Sequence, residues 1–367
     1  MKPTLERLFL YKAFSILLVG TILGLLYIAR AGNPSLLIYW HPYFQIYSLV
    51  YFVSGIALNM LPKFKSSNIY MKNVILSVLI LYDLSFILFI ISYFNTFFIE
   101  ISALILLISS LFLVFYFIRF SLIKANFPEA DPFFILSSLS FFLFSFSLLI
   151  IGQLTFESQL LFFLGFIGSL IYAVEVRMVA VRQTINYRIL THCSLLFMIV
   201  SLLSLFLHLT LFLNLYYSLL SFFVSFIIMA FSLRIFESKR PLTIHKFGPR
   251  EKKLVYYNQG AMIVSYIWII LGLLFFVSNI INIDMFIHSV SLGFIGNTIF
   301  AFAPIFVSNL FSKTDPLKSM RFEALVIYNI GVLLRVIGSY YAFPIWSLLS
   351  GLLILIAIFI LVFRILS

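Results

Sequence analysis

The sequence predicts an all-α, polytopic membrane protein of twelve transmembrane helices. Three observations predict it. The chain of 367 residues is 63% hydrophobic and only 10% charged, with a mean hydropathy of +1.16. A soluble surface needs far more charge than that. The apolar residues also fall in blocks of roughly 20, the length that crosses a bilayer as a helix. Finally, the basic residues sit almost entirely in alternate loops.

Taken in order, the spans are expected at about residues 8–29, 39–62, 74–94, 97–118, 133–152, 158–180, 189–213, 215–236, 254–281, 285–311, 321–342 and 345–365. The first block, from Leu8, lacks a small-residue cleavage site and is read as a retained helix. Lys63, Lys65, Lys72, Arg119, Lys124, Arg182, Arg188 and the basic run from Lys239 to Lys253 share the side of the N-terminus, while the opposite loops hold little that is basic besides Arg30. Lys and Arg collect on the cytoplasmic side, so both termini are expected there, in the cell membrane. The net charge of +12 thus reads as membrane orientation. The expected partner is the lipid bilayer, not nucleic acid.

Residues 1–367 read as one transmembrane domain. The two longest inner connections, 121–132 and 237–253, cut it into three groups of four helices, at about 1–122, 123–242 and 243–367. Leu164-Gly165-Phe166-Ile167-Gly168 in span 6 returns as Leu292-Gly293-Phe294-Ile295-Gly296 in span 10, and Ile171, Tyr172 and Ala173 are echoed by Ile299, Phe300 and Ala301. Glycines three apart let helices approach closely. The echo reads either as an internal repeat or as chance in a Phe/Leu/Ile-rich chain.

The single cysteine, Cys193, excludes a disulfide framework and a cysteine-ligated metal cluster. No P-loop, nucleophile elbow or HExxH helix is present, and the loops are too short for an extramembrane catalytic domain. No catalytic residue is assigned.

The intramembrane polar residues remain. His41 opens span 2 and His288 opens span 10, both running inward from the outer surface, at nearly equal depth by helical rise. They read either as a pair of axial ligands gripping a haem iron or as interfacial histidines bonded to water and headgroups. His208, late in span 7, reads as a third metal ligand or as a packed histidine. The position in span 6 matching His288 is Leu160, which binds no metal. Arg335 in span 11 reads as a clamp for an anionic group, such as a haem propionate, or as the ion-pair partner of Asp83 in span 3. Lys12 is expected to snorkel to the inner face. Glu100 and Asp284 read as solvated, and Glu175 and Arg177 as helix-end pairs. No chain of acidic residues crosses the membrane.

Trp40-His41, Gly55 and the Leu-Pro-x-Phe exit of span 2 (Leu61 to Phe64) resemble the NnrS family of twelve-helix membrane proteins. His288, Gly293, Phe294 and Gly296 in span 10 also resemble that family, as does Leu334-Arg335-Val336. More distantly, the chain is similar to the catalytic subunit of haem–copper oxidases and nitric oxide reductases. The resemblance implies a haem-binding protein with His41 and His288 as axial ligands. It would act in electron transfer or in the response to a diatomic gas such as nitric oxide, with a membrane or extracytoplasmic redox partner. Tyr43 stands where the family places a second histidine, Phe44-Gln45 replaces Glu-Met, and Ser308 to Phe311 replaces a Gly-His-Thr-Gly-like exit. The copper-site histidines are missing, so copper is not expected. Two other readings stay open: a cofactor-free transporter with Arg335 binding a small anionic substrate, and a degenerate accessory subunit of a respiratory complex.

A cysteine placed in the 237–253 loop is expected to resist a membrane-impermeant maleimide added outside intact cells; efficient labelling there would reverse the orientation.

Overall fold

The structure, a computed structural model, describes residues 5–64, 72–121, 128–179, 185–211, 213–236, 249–310, 320–341 and 343–366. Lys65, Lys124, Arg182, Lys239, His245 and Phe311 lie outside the described residues, as do residues 122–127 and 237–248 of the two long loops. Among the described residues the chain forms twelve long helices and no strand. They are α1 (Leu5–Ile28), α2 (Pro34–Phe64), α3 (Lys72–Ser92), α4 (Phe97–Ser121), α5 (Asp131–Ile151), α6 (156–179), α7 (Ile185–Leu211), α8 (Leu215–Ser232), α9 (Pro249–Val277), α10 (283–310), α11 (Phe322–Tyr340) and α12 (Pro344–Leu366). Each expected span coincides with one of them, with ends shifted by a few residues.

Counted over the described residues, eleven of these helices are long and apolar enough to cross a membrane. This is a multi-pass membrane protein. The exception is α2, whose 31 residues include His41, Gln45, four tyrosines and two serines between Tyr39 and Ser54. Its polar groups are turned inward: Tyr47, Ser48, Tyr51 and Ser54 are all buried. The outward faces of the other helices expose residues such as Ile80, Ile150 and Phe359, as lipid contact requires.

The helix ends follow local chemistry. Thr155 caps α6 in a reciprocal box with Ser158, and Asn282 caps α10 by accepting from the Met285 N–H at 2.9 Å. These side chains satisfy N–H groups that the first helical turn leaves unpaired. Gly152, at φ 70, ends α5 in the left-handed conformation that glycine adopts without strain.

Two compact units are present. The first comprises residues 1–116, 145–153 and 303–367, and the second residues 117–144 and 154–302. α11 and α12 fall in the first unit, and α9 with most of α10 in the second.

In the first unit α1 and α2 form a tight hairpin. Gly20 and Gly24 of α1 face Phe44, Gln45 and His41, and Gly55 of α2 faces Phe9. The Ser48 hydroxyl donates to the Ala13 carbonyl at 3.0 Å. α11 and α12 pair in the same manner, with Gly331 against Ile354 and Gly338 against Ser347.

In the second unit the repeated Leu-Gly-Phe-Ile-Gly segments adopt the same unusual form. Leu161–Gly168 within α6 and Ser289–Gly296 within α10 are π-helical. The wider π turn disturbs the regular ladder, and a bilayer supplies no water to repair it. A serine adds a bond to the π segment in both copies. Ser137 of α5 donates to the Phe166 carbonyl at 2.8 Å, and Ser265 of α9 to the Phe294 carbonyl at 2.7 Å, each across 29 residues. Gly165 lies against Ser140, and Gly293 against Trp268 at the matching position. The two π segments also pack against each other. α6 and α10 are the most buried of the eleven spans, 83% and 72% over their windows. The sequence echo thus has a physical counterpart: two helix pairs with the same distortion and the same serine bond.

A methyl group on Gly293 would come within 2.5 Å of Trp268 Cγ, whereas one on Gly260 meets nothing within 4 Å. Gly293→Ala is therefore expected to lower stability in detergent by about 1–3 kcal/mol through overpacking. Gly260→Ala should be neutral or raise it by up to about 1 kcal/mol. Thermal melts of the two variants check the contrast.

Candidate functional site

His41 lies in the second turn of α2, where Pro34 starts the helix with a fixed backbone angle. Its Nδ1 is 2.7 Å from the Gly20 carbonyl of α1. A carbonyl only accepts, so Nδ1 carries the proton and Nε2 keeps the lone pair. The ring lies flat on Gly24, where any Cβ would stand 2.6 Å from His41 Cε1. The Gly-x-x-x-Gly face of α1 thus makes the seat, and the carbonyl fixes the ring within it. Beside it, Trp40 packs on Phe44 and Tyr93, and its Nε1 is buried with no acceptor within reach. Tyr43 stacks on Phe89 with ring centroids 4.1 Å apart.

His288 lies in the second unit, at the last residue before the π segment of α10. Its Nδ1 is 2.7 Å from the Asp284 carbonyl and 3.3 Å from the Asp284 carboxylate. Both acceptors belong to its own helix one turn back. Asp284, expected to be only solvated, therefore also orients this imidazole. Here again Nδ1–H donates and Nε2 keeps the lone pair. The side chain is 18% exposed. His41 and His288 thus reach the same tautomer by different means, one through a neighbouring helix and one through its own.

His208, in the last turn of α7, is engaged at both nitrogens. Nδ1 meets the Leu213 carbonyl, and Nε2 lies 3.7 Å from a Glu157 carboxylate oxygen at the start of α6. Both ring nitrogens therefore face protein oxygens. Arg335 of α11 is half-buried, and its guanidinium donates to the Ser339 hydroxyl one turn on. Among the described residues no group of three or more His, Cys, Asp or Glu side chains converges as a metal site.

The ion pair considered for Arg335 and Asp83 is formed differently. Lys12 of α1 binds one oxygen of the Asp83 carboxylate, and the Tyr51 hydroxyl donates to the other at 2.6 Å. Lys12 also lies over the Tyr51 ring, 5.9 Å from its centroid. Lys12 therefore turns inward to a partner where snorkelling to the inner face was expected. Both oxygens of Asp83 are answered from α1 and α2, which packing and helix rotation decide. The sequence did hold a signal: one cation and one anion, each well inside an apolar helix. The same α2 face continues this polar register. Tyr47 bonds Ser85 at 2.6 Å and Ser102 at 2.9 Å, and Tyr39 bonds Ser92 at 2.8 Å.

In the second unit Glu175 is fully buried and accepts from the Tyr266 hydroxyl at 3.1 Å. Glu129 pairs with Arg188 at 3.1 Å. The side chain of Arg177 lies outside the described residues.

A family model described as a domain of unknown function (DUF8744) matches residues 244–367, the range that holds α9 to α12. No curated protein matches the chain, and no solved structure does.

Proposed function

We propose that this chain is a haem-binding membrane protein of the NnrS type, with His41 and His288 as its candidate haem-iron ligands. The observation that carries the proposal is the shared state of the two imidazoles. Each donates Nδ1–H to a carbonyl at 2.7 Å and holds its lone pair at Nε2, the arrangement of a metal-ligating histidine. The surroundings of His41 fit the cofactor in a second respect. The buried Trp40 Nε1–H has no protein acceptor, and a propionate carboxylate is an acceptor of the right kind. Arg335, a planar fork of donors, is the second propionate partner in this reading.

Haem held this way supplies one-electron exchange at its iron. Two imidazole ligands would leave no open position on the iron, which would favour electron transfer over gas binding. The protein's part is to fix the rings: Gly20 and Gly24 seat His41, and Asp284 seats His288. His208 is left out of the ligand set because Glu157 and Leu213 engage it. The Lys12–Asp83 pair favours a second reading, a transporter without cofactor, since charge within a membrane usually marks a transport path.

The visible spectrum of the detergent-purified protein, expressed with haem supplied, separates the two. A Soret band is expected, weakened and shifted in His41→Ala and in His288→Ala. A band unchanged in both variants would refute the ligand assignment. Absence of any band would leave the transporter reading.

A further inference from the structure

We propose that Lys12, Asp83 and Tyr51 form a proton-exchange site within the membrane, reached from the Tyr39 end of α2 through a column of hydroxyl groups. This inference rests on neither functional reading above.

Asp83 lies at the middle of α3 (Lys72–Ser92), far from either helix end. A charged pair there is costly in hydrocarbon, and such pairs are retained at ion and proton paths. The pair is not sealed in the core: both side chains are 35% exposed. The titratable and charged groups around Asp83 are Lys12 from α1 and Tyr51 from α2, with Tyr47 and Tyr82 in the adjoining turns.

The column comes from the spacing of α2. Tyr39, Tyr43, Tyr47 and Tyr51 recur every four residues, so they share one face of the helix. Three of the four bond polar partners on α3 or α4: Tyr39 to Ser92, Tyr47 to Ser85 and Ser102, and Tyr51 to Asp83. From Tyr39 to Tyr51 the helix rises about 18 Å. Each hydroxyl both donates and accepts, the property a proton relay needs. Neighbouring tyrosines are one turn apart, a gap that a single water bridges. A helix that only packed would be better served by Phe here, as the 46 phenylalanines of the chain illustrate.

The step balances without a co-reactant. A proton arriving at Tyr51 from above is taken by the hydroxyl oxygen as the hydroxyl passes its own proton to the Asp83 carboxylate. Asp83 becomes a neutral acid, Lys12 remains an ammonium, and the site gains one positive charge. Release of the proton toward the Leu5 end of α1, which Lys12 lies about two turns inside, restores the ion pair and completes a passage across the membrane.

The test uses the full chain in sealed liposomes containing pyranine, with a potassium diffusion potential set by valinomycin. Proton flux faster than in protein-free liposomes is expected. It should fall to the protein-free rate in Asp83→Asn and be slowed in Tyr51→Phe and Tyr47→Phe, while the melting temperatures of the two Phe variants stay near the parent. Parent flux equal to protein-free liposomes would overturn the proposal, as would folded Asp83→Asn with parental flux. Should Asp83→Asn fail to fold, Tyr51→Phe decides: unchanged flux in that variant refutes the site.

Discussion

A bilayer offers no hydrogen-bond partner to a hydroxyl, a charge or a stray backbone carbonyl. The helices of this chain are sorted by that constraint. Most are apolar and expose aliphatic and phenylalanine side chains. Three carry the burden of polar groups or irregular backbone: α2, α6 and α10. Within its own unit each is buried and repaired by a neighbour. For α2 the repair comes from Ser85, Ser102 and Asp83 with Lys12. For α6 and α10 it comes from Ser137 and Ser265, which donate to the Phe166 and Phe294 carbonyls.

Glycine makes these contacts possible. A serine or imidazole reaches a backbone carbonyl of a neighbouring helix only when the two helices are close, and close approach needs a missing side chain. Gly24 under His41 and Gly293 under Trp268 are the clearest cases. The interaction at His41 is therefore a product of two helices. His288 differs, since Asp284 lies one turn back on its own helix and fixes the ring locally.

Much of the fold was legible because twenty-residue apolar blocks leave little choice of structure. The Leu-Gly-Phe-Ile-Gly echo was legible too, since it is a string of identical letters. Its π geometry was not, because an i→i+5 pattern leaves no mark in the residue string. His41 and His288 stood out from the sequence as histidines at helix mouths, yet the Gly20 carbonyl that orients His41 is visible only in three dimensions. The partner of Asp83 was not legible for the same reason. Opposite charges in separate spans can pair in several ways, and helix rotation selects Lys12. The tyrosine column was overlooked because a four-residue aromatic period looks like ordinary core until the hydroxyl partners are seen.

The central functional proposal is that His41 and His288 are haem-iron ligands. Low-temperature electron paramagnetic resonance of the oxidised, haem-loaded protein, with ¹⁵N-histidine labelling, measures this directly. The account predicts a low-spin signal with hyperfine coupling to two histidine nitrogens, one lost in His41→Ala and the other in His288→Ala. A high-spin signal, or coupling that survives both substitutions, would contradict it.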